Sequence, residues 1–450
     1  MKIKNVLIGM TAALIGAGSL FAAPQGTAER NDQKKAKEII EFFSDEFGPN
    51  PKVKPENFSV PGAAESAARQ VNSGVDLASE FLLAEKIAGS WWTGEVAPAS
   101  QDDAFLSDGL AHYSAALWIE HAYGKEAYGK EFGGFVVGAL MHGETPIGQA
   151  GRLVANSIEY RAVVQDKGAG VFHMLRTFLG EKTFREVLKE YYLSYRGKTA
   201  RIADFKNTAA GILQKREGAQ ENSGYLSAFF SQWIDSTGIP EPKIEYTVMR
   251  IPNGFRIIGT VKQELETFRF PIELKIETEG NPEYKVVDVV GLESSFSVET
   301  FGKPKANGLT LDPNHKLLVS SPALRVFSRI HRGELRIAEG NYSEAEDEFK
   351  GALELDAANA LAHFRYGEVF FYAKNIQAAA KEFREAINGN MRDCAWVEVW
   401  SHVYLGKIFD VAGQRERAVN EYGKAIATND NTAGAQEEAS RWLKSPFGKL

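Results

Sequence analysis

At 450 residues, 44% hydrophobic and 25% charged, the chain has an ordinary globular composition, too long for one domain and apolar enough to bury a sizeable core. Its formal net charge of −7 is spread along the sequence without a basic tract, which excludes a nucleic-acid surface as an organising feature. The single cysteine, Cys394, excludes an internal disulfide, so stability must come from packing.

The chain opens with MKIK, NVLIGMTAALIGAGSLF and AAPQ. Two lysines, an apolar run of roughly 15 residues and then small residues are the parts of a secretory signal peptide. The mature chain is therefore expected to be exported, periplasmic or extracellular, with residues 1–23 as the signal and cleavage between Ser19 and Ala28. No further run of about 18 apolar residues follows, so no membrane span is expected in the mature chain.

To about residue 240 the pattern is helical. AKEIIEFFSDEFG places Ile39, Ile40, Phe42, Phe43 and Phe47 on one face and stops at Gly48-Pro49. Periodic runs follow at 104–124, 167–179, 181–195 and 224–237, and Gly238, Pro240 and Pro242 end them. From 241 to 320 the period changes to short alternating runs such as KIEYTVMRI and FRFPIELKIET, broken by Asn253-Gly254 and Gly280-Asn281-Pro282, the pattern of a small antiparallel β-sandwich.

Beyond 324 a repeat governs the sequence. Gly333, Ala345, Phe349 and Ala352 recur 34 residues on as Gly367, Ala379, Phe383 and Ala386, and again as Gly406, Ala418, Tyr422 and Ala425 after a five-residue insertion. These are the small and aromatic positions of tetratricopeptide repeats, placed at 326–359, 360–393 and 399–432, with a capping helix in GAQEEASRWLKSPF. A protein or peptide partner is expected on the first helix of each repeat, with Arg329, Arg332, Arg336, His363, Phe364 and Tyr366 as candidate contacts.

Five segments carry a resemblance: WWTGEV (91–96), FLSDGLAHY (105–113), TPIG (145–148), DKGAGVFHMLRTFLGEKTF (166–184) and FFSQWIDSTGIP (229–240). Together, and in this order, they make residues 31–240 similar to the gluzincin aminopeptidases of the membrane-alanyl-aminopeptidase family, and 241–320 resembles the β-domain that follows in those enzymes. The resemblance implies a multidomain α+β chain: a thermolysin-like helical peptidase domain, a small β-sandwich, and a C-terminal α-solenoid of tetratricopeptide repeats at 324–450. It also implies that the family's large N-terminal β-domain is missing.

That family holds a catalytic zinc with H-E-x-x-H and a Glu from a neighbouring helix, the Glu between the histidines acting as general base. Anchored on Trp91-Trp92, the two histidine positions are Glu85 and Gly89 and the base position is Lys86. The third ligand falls on Asp108, with the family's eighteen residues between it and Gly89. The oxyanion-stabilising tyrosine position is Gln165, and GAAES leaves Glu65 as a remnant of the residue that holds a substrate's amino terminus.

With both histidines, the base and the tyrosine replaced, neither Lewis acid nor base remains. Zinc is expected to be absent, and the chain is expected to be a non-catalytic peptidase-like scaffold. The competing readings are a zinc peptidase with unusual ligands and a peptide carrier or assembly factor. His112, four residues after Asp108, opens the further option of a different metal held with Glu85. Lys86 is expected either to close on Glu85 and Asp108 in place of a metal's charge or to be an ordinary surface lysine. His173, within GVFHMLRTFL, is expected to be a satisfied core residue, and the remaining histidines show no metal-ligand spacing.

Overall fold

The computed structural model describes residues 25–59, 75–217, 221–391 and 394–448. The expected signal peptide, residues 1–23, and Glu65 lie outside the described residues. The chain divides into two compact units, one built from 24–61 and 72–321 and the other containing 322–450.

In the first unit, helix α1 (Gln25–Phe47) buries Ala36, Ile39, Phe43 and Phe47 at three- and four-residue spacing, and Gly48, at φ +105°, turns the chain out of the helix. Helix α2 (Val75–Trp92) ends on the tandem tryptophans. Both rings are fully buried, and each finds a partner for its one donor: Trp91 Nε1 on the Gly48 carbonyl and Trp92 Nε1 on Ser114 Oγ, both at 2.9 Å. The pair therefore clasps α2 to the end of α1 and to α3 (Asp108–Ala139). Helix α3 is broken at Gly124, whose φ of 84° and ψ of 179° are not helical.

Residues 158–179 are continuously helical but uneven: a turn at Ile158–Tyr160, a π-helical stretch at Arg161–Lys167, then α4 (Gly168–Leu179). Helices α5 (Glu181–Tyr195), α6 (Ile202–Glu217) and α7 (Glu221–Trp233) follow, and a short parallel pair, β1 (Val96–Pro98) with β2 (Lys198–Ala200), ties the region together.

Two three-stranded antiparallel sheets complete this unit. One runs β3 (Lys243–Ile251), β4 (Gly254–Lys262), β7 (Glu293–Thr300); the other runs β6 (Glu283–Val290), β5 (Arg269–Thr278), β8 (Pro304–Leu311). Strand β5 shows the expected alternation, burying Phe270, Ile272, Leu274 and Ile276. Helices and sheets share one compact unit: Trp233 stands edge-on to Phe268 at 4.9 Å, and Gln232 accepts from the Arg269 amide at 2.6 Å.

The described residues of the second unit form three helical hairpins and a last helix. They are α8 (Pro322–Glu339) with α9 (Tyr342–Leu355), α10 (Ala360–Tyr372) with α11 (Ile376–Asn388), and α12 (Trp396–Val411) with α13 (Arg415–Ala427), followed by α14 (Ala435–Lys444). The recurring glycines face the recurring aromatics across each hairpin. A Cβ would lie 2.6 Å from the Phe349 ring at Gly333 and 2.8 Å from Phe383 at Gly367, and Gly406 stands against Tyr422 in the same way. Helix α14 places Ala435 and Ala439 against Val399, Val403 and Ala425 of the last hairpin. Among the described residues no helix is long and apolar enough to cross a membrane.

Candidate functional site

The helical region brings the motif segments to one place through close backbone approaches. A Cβ at Gly109 would lie 2.6 Å from the Val164 carbonyl oxygen, and the space beside it is taken by Gly168 Cα, 3.5 Å away. The glycines of DGLAHY and DKG thus let the start of α3 press against the π-helical stretch. A Cβ at Gly138 would overlap the Asp166 carboxylate, so that glycine makes room for an acid on the same stretch. Single π turns of this kind re-aim side chains and often mark functional sites.

Two hydrogen-bonded groups occupy the centre. Glu85 of α2 accepts from His112 Nδ1 of α3 at 2.6 Å, and the other ring nitrogen of His112 stands 3.4 Å from Asp166 Oδ1. The ring is buried between Phe81 and Phe135, with centroids 5.1 and 5.0 Å away. One turn earlier on α3, Asp108 accepts from the Tyr160 hydroxyl at 2.7 Å. Burial, reinforced by that carboxylate, raises the Tyr160 pKa and keeps the phenol a donor. Just beyond, Lys167 is buried with its Nζ 3.3 Å from the Ser236 carbonyl, and burial pushes its pKa down to about 8.

The structure therefore brings Glu85, Asp108 and His112 into one neighbourhood. Lys86 is exposed on α2, while Glu85 and Asp108 are met by an imidazole and a phenol. Gln165 is half-buried on the π-helical stretch. Among the described residues, no three His, Cys, Asp or Glu side chains are disposed to hold one ion, the optional Glu85, Asp108 and His112 set included. The sequence reading missed Tyr160 and Asp166. Asp166 was visible inside the quoted DKG segment, whereas Tyr160 lies in the short turn Ile158–Tyr160, which precedes the π-helical stretch and falls outside every quoted segment.

Zinc of the family's kind needs two imidazoles and a carboxylate at the three ligand positions. Here Gly89 offers no donor atom, and a Cβ there would meet nothing within 4 Å among the described residues. The carboxylates of Glu85 and Asp108 already take hydrogen bonds from His112 and Tyr160. The residues present do not fit that metal.

Residues 74–233 match the family model of the Peptidase family M1 domain. This region is peptidase M1-like. Over 168 residues the chain is 26% identical to the thyrotropin-releasing hormone-degrading ectoenzyme of Homo sapiens, which takes in 36% of this chain and 15% of that protein. The crystal structure of Legionella pneumophila aminopeptidase A in complex with aspartic acid aligns with 94% of this chain and 52% of its own, at a TM-score of 0.49 and 14% identity. The chain thus spans well under two thirds of either relative. The M1 match ends before the sheets and does not reach the helical hairpins.

Proposed function

We propose that this chain is an exported, non-catalytic peptidase-like protein that binds a protein or peptide partner, its C-terminal hairpins being tetratricopeptide repeats. One observation carries the loss of catalysis. Of the three zinc-ligand positions, one has no side chain, and the other two are carboxylates engaged by His112 and Tyr160. Reopening them costs a charge-assisted hydrogen bond of about 1.5–3 kcal/mol at each before any ligand is bound. Lys86 stands at the base position, so the carboxylate that would activate water is missing there.

The repeat assignment rests on the recurring glycine–aromatic seams of the three hairpins. Export rests on the N-terminal MKIK and its apolar run. The contact candidates on the repeats need revision. Arg332 bonds Glu348 at 2.7 Å, Arg336 bonds Glu344 at 3.0 Å, and Phe364 and Tyr366 are buried, so these side chains build the hairpins.

Purified protein is expected to carry well under one zinc per chain and to hydrolyse no aminoacyl amide. Metal analysis with an amide-hydrolysis assay checks both. Stoichiometric zinc with chelator-sensitive hydrolysis, abolished by Asp108→Asn, would establish the zinc peptidase with unusual ligands instead.

A further inference from the structure

Three cross-helix pairs stand at equivalent positions of the three hairpins. Arg329 of α8 faces Glu348 of α9 at 3.4 Å, His363 of α10 faces Glu382 of α11 at 2.7 Å, and His402 of α12 faces Glu421 of α13 at 2.7 Å. Both members of the pair shift by 34 residues from the first hairpin to the second and by 39 to the third, following the insertion. The carboxylate is constant. Its partner changes from a guanidinium, charged at every relevant pH, to imidazoles whose charge depends on pH.

The two imidazoles differ at their second ring nitrogen. His363 Nδ1 is bonded to Glu382, and its Nε2 lies 3.1 Å from the Ala357 carbonyl. Both partners are acceptors only. A neutral ring has one N–H and leaves one of them without its donor, whereas an imidazolium satisfies both. For His402, the neutral tautomer that carries its proton on Nδ1 is enough for Glu421.

Ala357 lies in the joint that connects the first hairpin to the second. The joint is also held by the Asn390 amide on the Ala358 carbonyl at 2.7 Å, and by Asp356, which accepts from Asn359 Nδ2 at 3.1 Å. Gly389 packs so closely that a Cβ would lie 2.7 Å from the Ala358 oxygen.

We propose that His363 is a proton-dependent latch: when charged it ties the 356–359 joint to α11 by holding Ala357 and Glu382 at once, and when neutral it releases one of them. The charged groups around it are Glu382 and Glu385 of α11, Lys381, which bonds Glu382 at 3.2 Å, and Asp356 in the joint. Burial pulls the His363 pKa down, but the bonds to Glu382 and Ala357 and the charges of Glu382 and Glu385 outweigh it and leave the pKa above the ordinary 6.5. The latch is therefore fully engaged below about pH 6.5 and is lost as pH rises through the raised value.

The test is hydrogen exchange on the full chain between about pH 5.5 and 8.5, corrected for intrinsic rates, read at the amides of 359–363 and at Asn390. Protection is expected to fall several-fold as pH rises. In His363→Arg, which installs the group already used at Arg329, it should stay flat, and in His402→Gln the fall should persist. Flat protection in the parent, or a fall that survives His363→Arg, overturns the latch. NMR titration of the His363 ring in the parent gives a reading that needs no variant: a pKa above that of an ordinary histidine supports the latch, and one at or below it overturns it.

Discussion

His173 in the sheet-bearing unit is buried and His363 in the hairpin unit is half-buried, and opposite protonation states satisfy them. His173 sits on α4 against Phe132, with ring centroids 4.2 Å apart. Its Nε2 donates to the His315 carbonyl at 2.8 Å, and its Nδ1 accepts from the Tyr128 hydroxyl at 2.5 Å. One donor and one acceptor are what a neutral imidazole needs, and burial pushes its pKa down to about 4. His363 faces two acceptors and is completed only by a proton. Whether a histidine resists or invites acid thus depends on its burial together with the number of acceptors that meet its ring.

The largest expected effect that sharpens this contrast is acid loss of the first unit. The His173 pKa falls from 6.5 unfolded to about 4 folded, so the unfolded chain binds the extra proton between those values. Its contribution is complete above pH 6.5 and is lost as pH falls to about 4, a change of about 3 kcal/mol. Hydrogen exchange in α4 should report it. His173→Gln, whose amide can donate to His315 and accept from Tyr128, should flatten this part of the profile. A parent and variant with the same acid response would break the contrast.

A smaller effect tests the site through its backbone. Gly109→Ala puts a methyl group 2.6 Å from a backbone oxygen, so α3 or the π-helical stretch must move, at a cost of about 2 kcal/mol. Because Asp108 and Tyr160 sit on the two sides of that approach, the variant should also disturb their bond. Urea unfolding measures the first consequence and the Tyr160 ultraviolet signature the second. A variant as stable as the parent would mean that the two backbones can separate there at no cost.

What could be read in advance divides along the same line as the two units. In the hairpins a single geometric need, a glycine under an aromatic ring, recurs at Gly333, Gly367 and Gly406, so the spacing alone located the seams. Strand β5 and the stop at Gly48 were legible because one residue type answers one local demand. In the site, the tryptophans and glycines marked the backbone correctly, but side chains that replace one another leave no periodic trace. Glu85 meeting His112 depends on where two separate helices cross, and Tyr160 meeting Asp108 depends on how the turn at Ile158–Tyr160 lies against the start of α3. Helix α3 also runs past the expected end at Gly124, since Phe132, Phe135 and Val136 resume a buried face beyond the break.

The smallest effect sets an open position against the filled one. Gly89 lies on α2 one turn after Glu85, with helical backbone and nothing within 4 Å of an added methyl group among the described residues. A glycine inside a helix costs roughly 0.5–1 kcal/mol relative to alanine, because it gives up more backbone freedom on folding. Where the methyl group meets no neighbour, that cost is recovered without a clash, so Gly89→Ala should stabilise by about the same amount. Gly109→Ala, the same chemical change on the adjoining helix, should move stability the other way. Thermal and urea unfolding of the two variants side by side decide the matter. If Gly89→Ala destabilises, the second ligand position is filled by a neighbour, and the helix face that carries Glu85 is more crowded than the pairing of Glu85 with His112 requires.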